Sequence, residues 1–274
     1  MDTRGIGNLT AGRLQKRYRT SRRRIQKIFS GPQVARDRGF FDAYPRFCSL
    51  DTGAPGRLND PNRLNERHRA LIESNQNIIQ GRSVLDIASH DGRWSFAAHK
   101  AGARLVLGIE AREALVQHAY QNMRAYQVPD DRVQFVVGDV FDKLDGLSVG
   151  DFETVFCLGF VYHTMHHVLL LNKIARLRPQ HIVLDTVIDL SPDPIIVLRR
   201  ESVARPTTGA IADLGDPQQA LVGTPTKSAL DLMLVSAGYI PSYYDWHQAG
   251  VRSWDNLGEY EDGTRVSLVA ARQS

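Results

Sequence analysis

Five short apolar runs, separated by segments long enough for a helix, are the feature that most constrains how this 274-residue chain folds. Strands that alternate with helices favour a mostly parallel sheet with helices on both faces. Two further strand-like runs are joined by a polar, glycine-containing loop and predict an antiparallel hairpin. We therefore predict an α/β, doubly wound fold with a seven-stranded, mostly parallel sheet whose last strand is antiparallel. The predicted strands are residues 83–87, 105–109, 133–137, 154–158, 181–185, 239–246 and 265–271.

The segments around these runs suggest the domain organisation. Residues 63–274 are predicted to form one domain, and residues 1–62 an arm and lid region. A helix is expected over residues 65–80 and an amphipathic helix over residues 228–237. The intervening stretch 190–226 contains several prolines and is interpreted as irregular.

Charge is distributed unevenly along the chain. Residues 1–30 contain nine Lys or Arg and one acid, a net charge of +8, so the total of +4 leaves −4 for residues 31–274. Apolar residues near one helical face predict a basic amphipathic helix within residues 9–29: Leu14, Tyr18, Ile25 and Phe29. Such an arm suits nucleic-acid phosphates, an anionic membrane surface, or a contact within a homo-oligomer; the alternative is a solvated helix.

Other classes of protein are excluded by composition. The two cysteines, Cys48 and Cys157, lack the spacing of a structural zinc site or a disulfide framework. No run of about eighteen apolar residues predicts a membrane span, and the basic beginning lacks the apolar stretch of a signal peptide. A cytoplasmic location is the expectation.

The turn after the first predicted strand has the character of a cofactor site. A dinucleotide requires three spaced glycines there, and a carboxylate at the corner would repel its pyrophosphate. S-adenosylmethionine (SAM) suits the turn better, because its ammonium group is attracted to Asp86, directly or through water, and it carries no phosphate. The turn reads Asp86-Ile87-Ala88-Ser89-His90-Asp91-Gly92.

Two more acids end the next two predicted strands. Glu110 is placed to accept hydrogen bonds from both ribose hydroxyls, and Asp139 from the adenine amino group, while Val140 packs on the ring. An isolated acid at a strand end is often a helix cap. Three acids at the ends of three successive strands favour an adenosyl site instead.

These motifs resemble those of the class I, Rossmann-like SAM-dependent methyltransferases, over about residues 81–274. The family's first motif is an acid followed by alternating glycines; here Asp86 and Gly92 are kept, and Ala88 and His90 replace the other glycines. The resemblance implies that residues 190–226 are an acceptor-binding cap. It also implies a cofactor-binding set: Asp86, Ala88, Ser89, His90, Gly92, Glu110, Asp139 and Val140, with Leu158, Gly159 and Phe160 beside the methionine portion.

Candidate catalytic residues follow the fourth and fifth strands. Methyl transfer to a hydroxyl requires removal of a proton, and His163, His166 and His167 lie where the methyl group should point. Asp185 is expected to orient a histidine or hold the acceptor; its alternative role is to tie a loop. Asp185 and Asp189 with a nearby histidine form a weaker candidate for Mg²⁺.

The leading functional hypothesis is a small-molecule O-methyltransferase with a saccharide hydroxyl as acceptor. The motifs resemble bacterial sugar O-methyltransferases that act on mannose-containing polysaccharides. The alternative is tRNA modification, because residues 159–163 resemble enzymes that transfer a carboxymethyl group to tRNA wobble uridine and the basic arm suits phosphates. A non-catalytic SAM-binding protein is the third class.

Overall fold

The structure, a computed structural model, describes residues 39–49, 59–204, 209–211 and 218–273. Its strands are β1 (Ser83–Ile87), β2 (Leu105–Glu110), β3 (Val133–Val137), β4 (Thr154–Leu158), β5 (His181–Val187), β6 (Ile196–Ser202), β7 (Gln219–Pro225), β8 (Tyr239–Tyr243) and β9 (Arg265–Arg272). Seven of them form one sheet in the order β3-β2-β1-β4-β5-β9-β8. Strands β1 to β5 are parallel, and β9 runs antiparallel to both of its neighbours. The predicted fold class is confirmed.

Helices cover both faces of this sheet. They are α1 (Pro61–Leu71), α2 (Gln76–Ile79), α3 (Arg93–Lys100), α4 (Glu113–Ala125), α5 (Val140–Asp145), α6 (His167–Arg176), α7 (Lys227–Ser236) and α8 (Gly258–Glu261). All five residues of β1 are buried, because both sides of this central strand are covered. Val84 packs into the core on one face and Leu85 into the core on the other.

The helix predicted over residues 65–80 is in fact three shorter pieces. The first piece, α1, begins at Pro61. The Asp60 side chain accepts a hydrogen bond from the amide of Arg63, and proline fits the first helical position. It ends at Leu71, where the side chain of Asn75 donates to the carbonyl oxygens of Ala70 and Leu71. A 3₁₀ turn and the four-residue α2 follow.

Residues 39–49 belong to the same core as the sheet. Two 3₁₀ helices, Phe40–Ala43 and Pro45–Cys48, bury Phe41 and Phe47 completely against that core. The boundary predicted after residue 62 is therefore not the edge of this core. The basic helix predicted within residues 9–29 lies outside the described residues.

The stretch 190–226 contains regular structure where an irregular segment was predicted. Strands β6 and β7 pair antiparallel over seven residues each and form a separate two-stranded sheet. The sequence hides this pair, since charged Arg199, Arg200 and Glu201 follow the apolar start of β6, and Pro225 ends β7. Proline lacks an amide hydrogen, and it is tolerated there because it is the last residue of an edge strand.

Candidate cofactor and acceptor site

A cavity of about 450 Å³ opens at the carboxyl ends of the parallel strands. This is the edge at which open α/β sheets bind ligands, and the volume suits a drug-sized molecule. Helix α1 and residues 209–211 complete its wall. Eight of the residues predicted at the cofactor site line it: Ala88, His90, Glu110, Asp139, Val140, Leu158, Gly159 and Phe160.

The turn after β1 keeps the backbone that glycines would give it. Ala88 and His90, which replace the glycines of the resembled motif, both have φ of 54°, and Gly92 has φ of 77°. This left-handed region is disfavoured for residues with a Cβ atom. The turn therefore adopts a glycine-type conformation at two non-glycine positions, which is a local strain.

Asp86, Ser89 and Gly92 belong to the same turn but do not line the cavity. The Asp86 carboxylate accepts a hydrogen bond of 2.6 Å from the hydroxyl of Ser95 in α3. Burial raises the pKa of Asp86 to about 7, despite that hydrogen bond. Asp86 is buried and does not line the cavity, so its predicted attraction to the cofactor would act across the other residues of the turn. Gly92 begins α3, and an added Cβ would lie 2.8 Å from Phe135.

Glu110 and Asp139 are held with their carboxylates at the cavity wall. Glu110 is only 4% exposed and accepts hydrogen bonds from the amides of His90 (3.1 Å) and Arg112 (3.0 Å). Asp139 caps α5 and accepts a 2.7 Å bond from the amide of Phe141. The helix-cap role considered in the sequence is thus present, and Asp139 also lines the cavity.

This half of the cavity fits an adenosyl group better than a dinucleotide. Two carboxylates at the ends of β2 and β3 match hydroxyl and amino donors, and the turn after β1 lacks the spaced glycines that a pyrophosphate requires. Val140, Phe141 and Phe160 supply apolar surface for a flat ring, and the rings of the two phenylalanines lie 6.5 Å apart.

His163 and His166 line the cavity beyond β4, as predicted, whereas His167 does not. His163 Nδ1 lies 3.0 Å from Glu201 Oε2, which joins a histidine after β4 to a carboxylate on β6. The other Glu201 oxygen accepts a bond from the amide of Ala210 at the cavity wall. Sequence reasoning missed Glu201, because nothing in the β6 sequence indicates that it faces a histidine.

His167 has a structural role, which corrects its prediction as a catalytic residue. It is 2% exposed, and its Nε2 lies 3.0 Å from the carbonyl oxygen of Gly223 in β7. Burial lowers its pKa, so the ring is held neutral. His167 therefore attaches the small sheet to α6.

Asp185 is likewise corrected: its carboxylate contacts arginines and hydroxyl groups, with no contact to a histidine among the described residues. It is fully buried and accepts bonds from Arg67 (3.0 Å) and from Arg265 Nε (2.7 Å). The hydroxyls of Tyr260 and Ser267 bind its other oxygen. Burial acts to raise the Asp185 pKa, but the two guanidinium groups outweigh it and hold that pKa well below its usual range.

These bonds also remove Asp185 from the predicted Mg²⁺ site. Both carboxylate oxygens already have donors, and Asp189 is used in a turn, where it accepts a bond from the amide of Ser191. Within the described ranges no group of three or more His, Cys, Asp or Glu side chains is placed to hold a metal ion.

Three arginines at the acceptor end were not anticipated. Arg63 and Arg67 come from α1, and Arg265 begins β9; all three are buried and line the cavity. Their signal in the sequence is arginine at positions i and i+4 of a helix, which places both on one helical face. That face is usually apolar when it is buried.

Comparison with known proteins agrees with this geometry. Residues 84–180 match a family model described as a methyltransferase domain. The order and direction of the strands in the main sheet are those of the class I methyltransferase fold. The matched residues run from β1 to the residue before β5 and include Glu110, Asp139 and His163.

Solved structures share the fold of the methyltransferase domain at low identity. The N-terminal domain of EvdMO1, crystallised with S-adenosylhomocysteine (SAH) and D-fucose, is 18% identical with a TM-score of 0.56, covering 76% of this chain and 82% of that one. The 1,6-didemethyltoxoflavin N1-methyltransferase of Burkholderia thailandensis, crystallised with its substrate and SAH, is 16% identical with a TM-score of 0.51, covering 77% and 78%.

A curated relative matches part of the domain. The tRNA U34 carboxymethyltransferase of Desulforapulum autotrophicum is 33% identical over 93 residues, which are 34% of this chain. The match spans 27% of that relative's own length.

No helix in the described residues is long and apolar enough to cross a membrane.

Proposed function

We propose that this chain is a SAM-dependent O-methyltransferase that methylates a hydroxyl group of a small molecule, and that this molecule is a saccharide. The observation that carries the proposal is the His163–Glu201 pair, which borders the cavity next to the predicted adenosyl half. The family model and the class I fold support the transferase class.

SAM, when bound, supplies a methyl group on a positively charged sulfur. Glu110 would hold the ribose hydroxyls and Asp139 the adenine amino group, while Val140 and Phe141 pack on the ring. Leu158 and Gly159 would border the methionine portion. The cavity wall then excludes water from the reacting atoms and aligns the acceptor with them.

His163 would remove the proton of an acceptor hydroxyl. Its Nδ1 faces the Glu201 carboxylate, which fixes the ring and stabilises the charge that the ring acquires when Nε2 takes a proton. This assignment of the tautomer follows from the carboxylate partner, since only a protonated Nδ1 donates to it. His166, 5.7 Å from the ring of Phe141, is the second candidate base.

Residues 190–226 form the proposed acceptor cap. The cap contributes Glu201 from β6, and Gly209 and Ala210 line the cavity. Arg112 donates to the carbonyl oxygens of Gly209 and Ala210, so the cap is attached to the turn that carries Glu110. The saccharide class is supported by the sugar in the EvdMO1 complex and by the hydroxyl chemistry that His163 suits.

The test is methyl transfer from labelled SAM to a broad saccharide panel. His163→Gln is expected to lower kcat by about 10²–10⁴-fold and Glu201→Gln by a smaller factor, both with unchanged affinity for SAH. His247→Gln, an exposed histidine that does not line the cavity, is the control. Absence of transfer to every saccharide rejects this acceptor class, and joint loss of turnover and SAH affinity indicates a structural role for His163.

tRNA modification is the second candidate, favoured by the 33% identity over 93 residues to a tRNA carboxymethyltransferase. The basic residues 1–30 would neutralise phosphates, so the affinity for tRNA should fall steeply with salt. A flat salt dependence contradicts this candidate. SAH binding without transfer to tRNA or saccharide would instead support a non-catalytic SAM-binding protein.

A further inference from the structure

The acceptor end of the cavity carries more positive charge than its own carboxylates balance. Arg67 and Arg265 share Asp185, and Arg63 pairs with Glu259 at 2.8 Å. Three guanidinium groups thus face two carboxylates, which leaves one net positive charge. Because Arg67 and Arg265 share a single carboxylate, one buried positive charge is uncompensated, and an anion at this corner would compensate it.

Hydrogen bonding leads to the same conclusion. The Nε atoms of Arg63 and Arg67 are buried and have no hydrogen-bond partner among the described residues. Arg67 lies 4.9 Å from the centre of the Trp94 ring, which fixes the plane of its guanidinium group. Planar, fixed guanidinium groups are the side chains best suited to bind carboxylate or phosphate.

The position of these arginines separates them from the adenosyl half. Glu110 and Asp139 end β2 and β3, whereas Asp185 and Arg265 lie on β5 and β9, on the other side of β4. His163 follows β4 and lies between the two halves in strand order. A group bound at Arg67 and Arg265 is therefore on the acceptor side of the proposed base.

The hydroxyl of Tyr162 extends this surface. It lies 3.4 Å from Arg265 Nη1, and the Arg265 guanidinium is 5.3 Å from the centre of the Tyr162 ring. Tyr162 directly precedes His163 in the chain. An anion bound at Arg265 would thus lie beside Tyr162, the chain neighbour of the proposed base His163.

We propose that the acceptor carries a carboxylate or phosphate group that binds Arg67 and Arg265, and that Asp185 is the positioning residue for both arginines. The substrate class becomes an acidic hydroxyl compound, such as a uronic acid or a sugar phosphate. This inference rests on the proposed function only in placing an acceptor in this cavity.

The first experiment compares matched acceptors with labelled SAM and the full chain. Each neutral sugar is paired with its uronic acid and its 6-phosphate, for example D-glucose with D-glucuronate and D-glucose 6-phosphate. An acidic member is expected to have a kcat/KM at least about tenfold higher than its neutral partner, because charge-assisted hydrogen bonds are stronger than neutral ones. Equal or better methylation of the neutral sugars overturns the inference. Comparison of the two acids distinguishes carboxylate from phosphate.

A binding experiment keeps the inference separate from the proposed activity. The melting temperature of the SAH-saturated chain is measured with inorganic phosphate and with D-glucuronate, at constant ionic strength. An anion-dependent increase that Arg67→Gln removes is expected, even if none of the sugars is methylated. Arg69→Gln is the matched control, because Arg69 is on the same helix, pairs with Glu66 and does not line the cavity.

Two results of that experiment reject the inference. One is an unchanged melting temperature with both anions, in the wild type as in Arg67→Gln. The other is a tenfold or greater loss of SAH affinity in Arg67→Gln, which would assign the arginine to the carboxylate of the cofactor itself.

Discussion

At the scale of single residues, Ala88 and His90 show that the turn after β1 depends on backbone shape more than on glycine. Both residues adopt the left-handed conformation that the resembled glycine motif provides at no steric cost. The backbone amide of His90 donates a hydrogen bond to Glu110 in that turn. The strain is thus located where the cofactor is proposed to bind.

We expect Ala88→Gly to raise the free energy of unfolding by about 0.5–1 kcal/mol, since relief of the left-handed strain exceeds the added entropy of the unfolded glycine. Urea unfolding measures the change. Ala97→Gly, at a buried position inside α3, is the opposite control and should lower it by about 1 kcal/mol or more. A loss of stability in Ala88→Gly would contradict the inference that the backbone at Ala88 is strained.

Asp86→Asn should stabilise the chain in a manner that depends on pH. The unfolded carboxyl titrates near 4 and the folded one at about 7, so the wild type loses stability as pH rises from about 4 to 7. Asparagine does not titrate, and its oxygen can still accept from Ser95. Unfolding curves at several pH values should show the advantage of Asp86→Asn growing over that window and constant above it. A pH-independent difference would contradict the raised pKa.

The sequence predicted the negative half of the site and missed its positive half. Glu110 and Asp139 were found because the end of a strand in a parallel sheet has a known position relative to its neighbours. Arg67 and Arg265 are 198 residues apart and are brought together by Asp185, a contact that no local pattern reports. Glu201 was missed for the same reason, since its pairing with His163 depends on how β6 and β7 dock.

At the scale of elements, the small sheet docks through very close contacts. A Cβ atom added to Gly223 in β7 would lie 2.6 Å from the ring of His167 and from a methyl group of Ile196. His167 is buried and Ile196 is held by its strand pairing with β7, so both resist displacement by the added atom. The cap position therefore depends on a residue without a side chain.

Gly223→Ala should consequently displace the small sheet, destabilise the chain by about 1–3 kcal/mol and lower methyl transfer by moving Glu201 from His163. Thermal unfolding and turnover with labelled SAM measure the two effects. Gly258→Ala is the control, since nothing lies within 4 Å of its added Cβ, and it should leave both unchanged. Normal turnover in Gly223→Ala would show that the docking tolerates a methyl group.

The elements of the main sheet were predictable and those of the cap were not. Strands with continuous burial, such as β1 and β4, have short apolar runs that mark them in the sequence. Helix α1 was misplaced at its start, although Asp60-Pro61 is a recognisable N-terminal signal. In β6 the exposed positions carry Arg199 and Arg200, so the pattern of a half-exposed strand is obscured by charge.

At the scale of the whole molecule, the sheet separates two electrostatic environments. Carboxylates of Glu110 and Asp139 lie at the ends of β2 and β3, whereas Arg67 and Arg265 lie beside β5, where they share Asp185. The first environment should favour a cationic, phosphate-free cofactor, and the second an anionic group of the acceptor. The expected ligand pair is therefore ordered along one edge of the sheet.

SAH at about 100 times its dissociation constant should stabilise the folded chain by about 2.7 kcal/mol, which corresponds to an increase in melting temperature of about 5–10 °C. NAD at the same concentration is the control, and it should give no increase because the turn after β1 lacks the spaced glycines that bind a pyrophosphate. Differential scanning calorimetry measures both. Stabilisation by NAD and none by SAH would reject the cofactor assignment.

The bonds of Asp185 have a consequence for how the acceptor pocket matures in the cell. This carboxylate receives donors from α1, β9 and the Tyr260 hydroxyl, so its partners lie up to 118 residues away from it along the chain. A ribosome makes α1 and the adenosyl half well before it makes β9. The residues proposed to bind the nucleoside are thus all synthesised before β9, whereas the proposed anion-binding corner is complete only when this final strand inserts beside β5.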